Sequence, residues 1–423
     1  MKFVLAFYGT RGDVEPGIVL GRELARHGHD VCMAVPPDLI GSVESVGLAA
    51  VAYGPDTRSW LENTRDFWGY FFRNFWRVRD VRRYLRESRE PGMRCWAEMS
   101  TLLTSLVEGA DLLVSGVSYE ELALDVAEYR DIPFATVLWF PIRVNGHLVP
   151  FLPAPVIRSA MKLYEWVVWR GIQQVANAQR RELGLAPVAG PVSRRIAERK
   201  ALEVQAYDDV CFPGLAAEWR QWGDQRPFVG ALTLESSTDV DDEVAAWIAA
   251  GPPPIFFGFG SIPVDSPADT LAMIAGACAQ LGERALVCAG WSDFTGVSHF
   301  DHVKVVAAVN YAAIFPACLA VVHHGGAGTT AVSLRAGVPT LILWMTDVQV
   351  VWGAAIKRLK VGTARRFSSA TEKTLIADLR TILAPQYGAQ ARAIAAGMAK
   401  PVDSAAAAAG RVQEFAREQA VRR

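Results

Sequence analysis

Apolar runs and amphipathic segments alternate along the first part of the chain. An apolar run at 3–7 is followed by a helix pattern over about 16–27 and by a second strand pattern at 30–35. Strand, helix and strand in this order predict a βαβ unit with a parallel sheet. Later patterns extend this unit with strands at 112–115 and 134–139 and helices at 96–107 and 122–129.

The same alternation starts again after three consecutive prolines at 252–254. It predicts a helix over about 268–281 and strands at 255–259, 285–289, 303–306 and 319–322. We therefore expect an α/β protein with two Rossmann-like domains facing a central cleft, with ligands at the carboxyl ends of the strands. The expected divisions are a first domain at 1–211, a linker at 212–237, a second domain at 238–403 and a C-terminal helix at 404–423.

Composition and charge narrow the class of protein. The 423 residues are 51% hydrophobic and 21% charged, which is typical of a globular chain, and the net charge of −1 argues against nucleic-acid binding. Six scattered cysteines show no metal-ligand spacing. The apolar N-terminus soon reaches Arg11 and Asp13, and the stretch at 134–156 is interrupted by polar residues and four prolines. These features predict neither a signal peptide nor a membrane span, so we expect a cytoplasmic location.

A glycine-rich segment follows the predicted strand that ends at 322. Its sequence is HHGGAGTT at 323–330, and a helix is predicted from about Ala331. Glycines allow close backbone approach, and the start of a helix exposes N–H groups that attract anions. Two histidines and two threonines add donors, so the pattern predicts a diphosphate site without the lysine of a Walker loop. A tight turn with glycines chosen for packing is the alternative.

A second polar segment, GTRGDVEP at 9–16, follows the first strand. Pro16 suits the first turn of a helix, which places Asp13 at or just before the helix start. The helix dipole favours an ionised carboxylate there, and such a carboxylate can take a proton from a hydroxyl group. The alternative is that Asp13 is an ordinary N-cap residue.

Several motifs together resemble one family over nearly the whole chain. They are GTRGDVEP at 9–16, FGS at 259–261, GW at 290–291, VNYAAIFP at 309–316, HHGGAGTT at 323–330 and RAGVPT at 335–340. The chain resembles the GT-B glycosyltransferases that include the glycopeptide-antibiotic, sterol and mycobacterial glycopeptidolipid enzymes. The segments at 341–355 and 370–387 point to the glycopeptidolipid branch. This resemblance implies an inverting, metal-independent hexosyltransferase with an N-terminal acceptor domain and a C-terminal nucleotide-sugar domain, and with no cofactor beyond the nucleotide-sugar co-substrate.

The resemblance also implies roles for individual residues. Asp13 matches the general base. The positions that match donor contacts are Thr10, Arg11, Ser261, Trp291, Val309, His324, Gly326, Gly328 and Thr329. The family usually carries adjacent Asp and Gln residues for the donor sugar, whereas this chain has Asp347-Val348-Gln349. Either Asp347 or Gln349 could therefore contact the sugar.

Two positions bear on the donor. Plant relatives carry a ribose-binding glutamate about where Val332 stands, and Val348 replaces a ligand for a sugar hydroxyl. Both favour dTDP-rhamnose or a similar dTDP-6-deoxyhexose. A UDP-glucose-dependent transferase of natural products or sterols, a sugar-nucleotide epimerase and an inactive nucleotide-sugar-binding protein are the alternatives. A sugar-nucleotide epimerase and a retaining transferase of this fold both use acidic residues. No Asp or Glu occurs between Asp301 and Asp347, which argues against both.

The acceptor side is indicated by aromatic and basic residues. Eight aromatic residues, including Trp68 and Phe72, lie among arginines in the segment from Trp60 to Trp76. This segment can line a pocket for an amphipathic lipopeptide acceptor or make peripheral contact with the inner membrane surface, and the alternative is core packing. Arg143 and His147 follow the strand at 134–139, so we expect both to contact the acceptor. His147 is also a rival to Asp13 as base, or a surface loop residue.

Overall fold

The computed structural model describes most of the chain. The described residues are 1–57, 77, 80, 83, 87, 94–148, 152–234, 238–261, 264, 266–294, 297 and 299–422, with the side chain of residue 347 excepted. They form two compact units, Met1–Leu234 with Ala399–Arg423 and Glu235–Met398. Each unit contains a six-stranded sheet whose paired strands are all parallel. The predicted α/β class with two Rossmann-like domains is therefore confirmed.

The sheet of the first unit has the strand order β3-β2-β1-β4-β5-β6. Its strands are β1 (Lys2–Ala6), β2 (Asp30–Val35), β3 (Ala49–Ala52), β4 (Leu112–Ser115), β5 (Phe134–Leu138) and β6 (Leu202–Gln205). Its helices are α1 (Arg11–Arg26), α2 (Ile40–Glu44), α3 (Trp96–Leu106), α4 (Glu120–Tyr129), α5 (Ala154–Glu182), α6 (Val192–Glu198) and α7 (Leu215–Glu218).

The second unit repeats this arrangement with the order β12-β11-β10-β7-β8-β9. Its strands are β7 (Ile255–Gly258), β8 (Ala285–Cys288), β9 (Val303–Val306), β10 (Ala320–His323), β11 (Thr340–Trp344) and β12 (Gly362–Arg366). Its helices are α8 (Asp241–Ala249), α9 (Pro267–Leu281), α10 (Tyr311–Ile314), α11 (Ala327–Arg335), α12 (Asp347–Leu359), α13 (Glu372–Ile382) and α14 (Pro385–Ala395).

The strand order determines where each sheet can bind a ligand. In both sheets the first strand lies between the second and the fourth, so the connections run in opposite directions from the first strand. A crevice opens at the carboxyl ends of the strands where the direction reverses. This point lies between β1 and β4 in the first unit and between β7 and β10 in the second. The segments that follow β1, β7 and β10 are the ones that carry the predicted motifs.

Helix α1 begins earlier than the sequence predicted. It starts at Arg11, with Thr10 as the N-cap residue, so Pro16 lies inside the helix instead of in its first turn. Proline lacks the N–H that would bond to the carbonyl of Gly12. Gly12 is exposed, so water can satisfy this carbonyl. Asp13 is therefore the third residue of α1.

The boundaries of the two units differ from the expected ones because tertiary packing extends the first unit. Residues 212–234, expected as a linker, belong to the first unit, where Phe212, Leu215 and Trp219 are buried. The C-terminal helix α15 (Pro401–Arg422) belongs to it as well. Its Val412 is fully buried, and Gln413 hydrogen-bonds to His27, which follows the last residue of α1.

None of the helices in the described ranges is long and apolar enough to cross a membrane.

Candidate functional site

His323 ends β10 and is completely buried. Its Nδ1 accepts a hydrogen bond from the amide of Gly325 at 3.0 Å, so the ring proton must lie on Nε2. Burial, with a smaller effect of His324, lowers the pKa of His323 well below its usual value. Nε2 has no hydrogen-bond partner among the described residues. His323 is therefore a neutral residue that holds the turn after β10.

The ring of His324 occupies the space that two glycines leave open. A Cβ at Gly260 would lie 2.6 Å from Cε1 of His324, and a Cβ at Gly326 would lie 2.6 Å from its Nε2. Gly260 also has φ +62°, a conformation that favours glycine. Burial lowers the pKa of His324 to about 4, although a hydrogen bond with Gly258 opposes the shift. A neutral imidazole carries a single N–H, so at neutral pH His324 can donate one hydrogen bond without carrying a charge, either to the carbonyl of Gly258 or to an anion.

Helix α11 presents its first amides without a side-chain cap. Gly326 is the N-cap residue, and Ala327, Gly328 and Thr329 form the first turn. The helix starts four residues earlier than predicted, because the amide and hydroxyl of Thr330 both bond to the carbonyl of Gly326, at 2.9 and 2.8 Å. The HHGGAGTT segment is therefore a strand end, one turn and a helix start. Such a helix start binds anions through its free amides and its dipole.

The loops after β7 and β8 lie close together beside this segment. The amide of Trp291 donates to the carbonyl of Gly260 at 3.2 Å. A Cβ at Gly290 would lie 2.3 Å from the same oxygen, so only glycine fits there. Ser261 directly follows Gly260 and is partly exposed. The loop geometry thus explains the Gly-Ser and Gly-Trp pairs, whose glycines were not among the predicted contact residues.

Val309 and Gln349 have structural roles that the sequence did not predict. The side chain of Val309 is 8% exposed and packs in a core cluster with Phe256 and Leu286, so only its backbone is left for a nucleobase. Oε1 of Gln349 accepts hydrogen bonds from the amides of Met345 and Thr346, at 2.6 and 3.1 Å. The Thr-x-x-Gln spacing is a signal for this cap. Its sugar contact stays a prediction, and the side chain of Asp347 lies outside the described residues.

In the first unit, Asp13 is held by Thr10. Oδ2 of Asp13 accepts hydrogen bonds from the amide and the hydroxyl of Thr10, at 2.6 and 2.9 Å. A Cβ at Gly9 would lie 2.4 Å from this oxygen, and φ of Gly9 is +133°, so glycine is required there. Asp13 is thus part of a capping box at the third helical position and is not the N-cap residue.

The environment of Asp13 suits a base. Burial raises the pKa of its carboxyl group to about 6, and the hydrogen bonds from Thr10 oppose this shift. Oδ1 receives no hydrogen bond from any described residue. A carboxylate with one fixed and one available oxygen, and with a pKa near neutrality, can accept a proton from a hydroxyl group.

Thr10 and Arg11, which precede Asp13, differ in what their side chains contact. The hydroxyl of Thr10 is used by Asp13, whereas the side chain of Arg11 is 55% exposed and lies 3.5 Å from the carboxylate of Glu15. Glu15 also accepts a hydrogen bond from the amide of Leu234 at 2.8 Å. Of the two predicted phosphate contacts in this unit, Arg11 is therefore the more exposed one.

The structure corrects the prediction for Arg143. Its side chain is buried, and it forms a bidentate pair with Glu120, at 2.6 and 3.0 Å, and a further ion pair with Glu203. Arg226 bonds to the same Glu203 at 2.9 Å. Arg143 therefore serves the core of the first unit and is not accessible to an acceptor.

His147 lies in the loop after β5 and is partly exposed. Its Nε2 is 3.1 Å from Oε2 of Glu218, which also bonds to Arg158 and to the amide of Gly146. Glu218 lies on α7 and Arg158 on α5, and the acceptor role of His147 stays a prediction. The predicted acceptor residues Trp68 and Phe72, with the whole segment from Trp60 to Trp76, lie outside the described residues.

A family model and several solved structures resemble this chain. Residues 260–410 match the family model described as erythromycin biosynthesis protein CIII-like, C-terminal domain. Among solved structures, the calicheamicin glycosyltransferase CalG4 has a TM-score of 0.70 at 16% identity, covering 99% of both chains. The glycosyltransferase VinC in complex with dTDP has a TM-score of 0.65 at 19% identity, also covering 99% of both chains. At these identities the likeness shows the GT-B fold.

Relatives with similar sequences identify the family. The vancomycin aglycone glucosyltransferase of Amycolatopsis orientalis is 28% identical over 408 residues, 93% of each chain. An uncharacterized glycosyltransferase of Mycobacterium tuberculosis is 56% identical over 420 residues, 99% of each chain. The chain therefore belongs to the family of glycosyltransferases that contains this mycobacterial protein.

Proposed function

We propose that this glycosyltransferase is an inverting, metal-independent enzyme that transfers a 6-deoxyhexose from a dTDP donor to a hydroxyl group of a lipopeptide-type acceptor. The observation that carries the proposal is the start of α11 in the second unit. Uncapped amides and a neutral His324 between two glycines form a donor set for the diphosphate of a nucleotide sugar.

The proposed reaction needs one base and one leaving-group site. The acceptor oxygen attacks the anomeric carbon, the bond from this carbon to the phosphate oxygen breaks, and the nucleoside diphosphate leaves with the bonding electrons. Asp13 takes the hydroxyl proton, and the α11 amides with His324 stabilise the charge on the departing diphosphate. A single displacement inverts the configuration of the anomeric carbon.

The proposal that no metal is needed is supported by the hydrogen bonds that the candidate metal-binding carboxylates already make. An Asp-Val-Asp sequence at 239–241 has the spacing of a metal-binding motif. Asp241, however, accepts hydrogen bonds from the amide and hydroxyl of Thr238 and from the amide of Asn310. In the part of the chain that the structure describes, no three His, Cys, Asp or Glu side chains form a group that could hold a metal. Helix amides can stabilise the leaving group without a metal.

The dTDP donor is supported by the position of Val332. This side chain lies on α11 and packs against the core cluster that contains Val309. Valine offers no carboxylate to the diol of a ribose, which favours a deoxyribose nucleotide. VinC was solved with dTDP, and it shares the fold of this chain. The competing candidate is UDP-glucose; the 28% identity to the vancomycin aglycone glucosyltransferase favours glucose as the transferred sugar.

Kinetics with two donors test the proposal. dTDP-rhamnose and UDP-glucose are each offered with a lipopeptide and with a glycopeptide aglycone, in buffer with EDTA, and products are identified by mass spectrometry. We expect kcat/KM to be highest for dTDP-rhamnose with the lipopeptide. Preference for UDP-glucose would contradict the donor, transfer only to the aglycone would contradict the acceptor, and activity that requires added magnesium would contradict the metal-independent mechanism.

His324→Ala tests the leaving-group site. Loss of a hydrogen bond to a charged group costs about 1.5–3 kcal/mol, so dTDP should bind about 10- to 150-fold more weakly to the variant. Isothermal titration calorimetry measures this affinity. His299→Ala is the matched control, because the side chain of His299 is 84% exposed in the same unit. Unchanged dTDP affinity in a folded His324→Ala protein would remove His324 from the site.

A further inference from the structure

The first part of helix α5 exposes large apolar side chains to solvent. Of the eleven exposed large hydrophobic residues in the described chain, six lie between 152 and 167. This group, here called the α5 patch, consists of Leu152, Val156, Leu163, Tyr164, Trp166 and Val167. Their exposed fractions range from 46% to 61%. Single exposed apolar residues need no explanation, but a contiguous group indicates an interaction surface.

The patch occupies one face of the helix. Val156, Leu163 and Val167 are separated by seven and four residues, so they lie in one line along α5. Ile157 and Trp169 are buried, whereas Met161, Glu165 and Val168, on the side of α5 away from the patch, are only partly buried. The packing of the first unit therefore does not explain the exposed apolar side chains.

The exposed charged residues that α5 itself carries near the patch are cationic. Lys162 and Arg170 are exposed, and the guanidinium of Arg170 lies 5.7 Å from the ring centroid of Trp166. Glu165 is the only acidic residue of α5 before Glu182, and it is partly buried, with a side-chain hydrogen bond to Ser193. The helix is described throughout, so from 154 to 181 its exposed charges are all positive.

We propose that the α5 patch docks the protein on the surface of an anionic lipid bilayer. Leucine and valine side chains enter the boundary between headgroups and acyl chains, while tryptophan and tyrosine occupy the interface. Lys162 and Arg170 contact lipid phosphates. A second copy of the chain fits less well, because a symmetric contact places the same cationic surface on both sides. This docking is independent of the proposed donor and acceptor.

Vesicle binding by the full chain tests the proposal without any substrate. We expect co-sedimentation with vesicles of phosphatidylglycerol and phosphatidylcholine, little with phosphatidylcholine alone, and release by high salt. The double variant Leu163→Asp/Val167→Asp should lower the partition coefficient at least about tenfold. Val402→Asp is the matched control, since Val402 is 69% exposed on α15 of the same unit, and it should bind like the wild type.

Several results would overturn the proposal. They are no binding of the wild type to anionic vesicles, an equal loss of binding in Val402→Asp, and retained binding in a folded double variant. Sedimentation analysis tests the alternative that a second copy of the chain covers the α5 patch. A concentration-dependent dimer that dissociates in Leu163→Asp/Val167→Asp, without vesicle binding by the wild type, would assign the patch to a second copy. Circular dichroism confirms folding, which exposed substitutions should leave intact.

Discussion

Asp13→Asn is expected to lower turnover at least about a hundredfold while leaving dTDP affinity unchanged. Asparagine keeps a carbonyl oxygen that can accept the hydrogen bonds of Thr10, at 2.6 and 2.9 Å in the native site, so the start of α1 should persist. It cannot accept the proton of the attacking hydroxyl group. Initial rates at saturating donor measure the turnover, and calorimetry measures the dTDP affinity.

The control is Asp30→Asn, an exposed aspartate at the start of β2 in the same unit. Wild-type turnover should also depend on pH. Burial raises the pKa of Asp13 to about 6, and the base works only when ionised, so turnover should fall about tenfold per pH unit below this value. Turnover in Asp13→Asn close to that of the wild type, with an intact fold, would exclude Asp13 as the base.

Glu203→Ala is expected to destabilise the first unit by about 3–5 kcal/mol. Glu203 is completely buried on β6 and is shared by Arg143 and Arg226. Its removal leaves Arg226 without the carboxylate that it contacts at 2.9 Å and deprives Arg143 of one of its two partners. Urea unfolding followed by circular dichroism measures the change in free energy of unfolding.

The control is Glu198→Ala. Glu198 forms an exposed i,i+4 pair with Arg194, and loss of such a pair costs about 0.5 kcal/mol or less. Glu203→Gln covers the case in which the alanine variant does not fold, since it removes the charge but keeps a hydrogen-bond acceptor. A loss below about 1 kcal/mol in Glu203→Ala would show that the ion pairs are not needed for stability.

The apolar pattern located many strands because strands in the middle of a parallel sheet are buried on both faces and appear as continuous apolar runs. The predicted strands at 30–35, 112–115 and 303–306 have the observed bounds. The pattern did not predict β3, β6, β11 or β12. Strand β6 contains Glu203 and Gln205, which are buried with their partners, and β12 is an edge strand whose Arg365 pairs with Asp378.

Some features of the candidate site could be predicted from the local sequence, and others depended on tertiary packing. The sequence by itself determined the family and located the glycine-rich segment, and it predicted Asp13 as the base, because motifs and capping signals depend on residues a few positions apart. Only the tertiary structure decided that Arg143 is neutralised by carboxylates 23 and 60 residues away, and that the ring of His324 needs Gly260 to lack a side chain. A local pattern shows which groups follow a strand. Which of them are buried and paired depends on distant parts of the chain that meet only when the sheet forms.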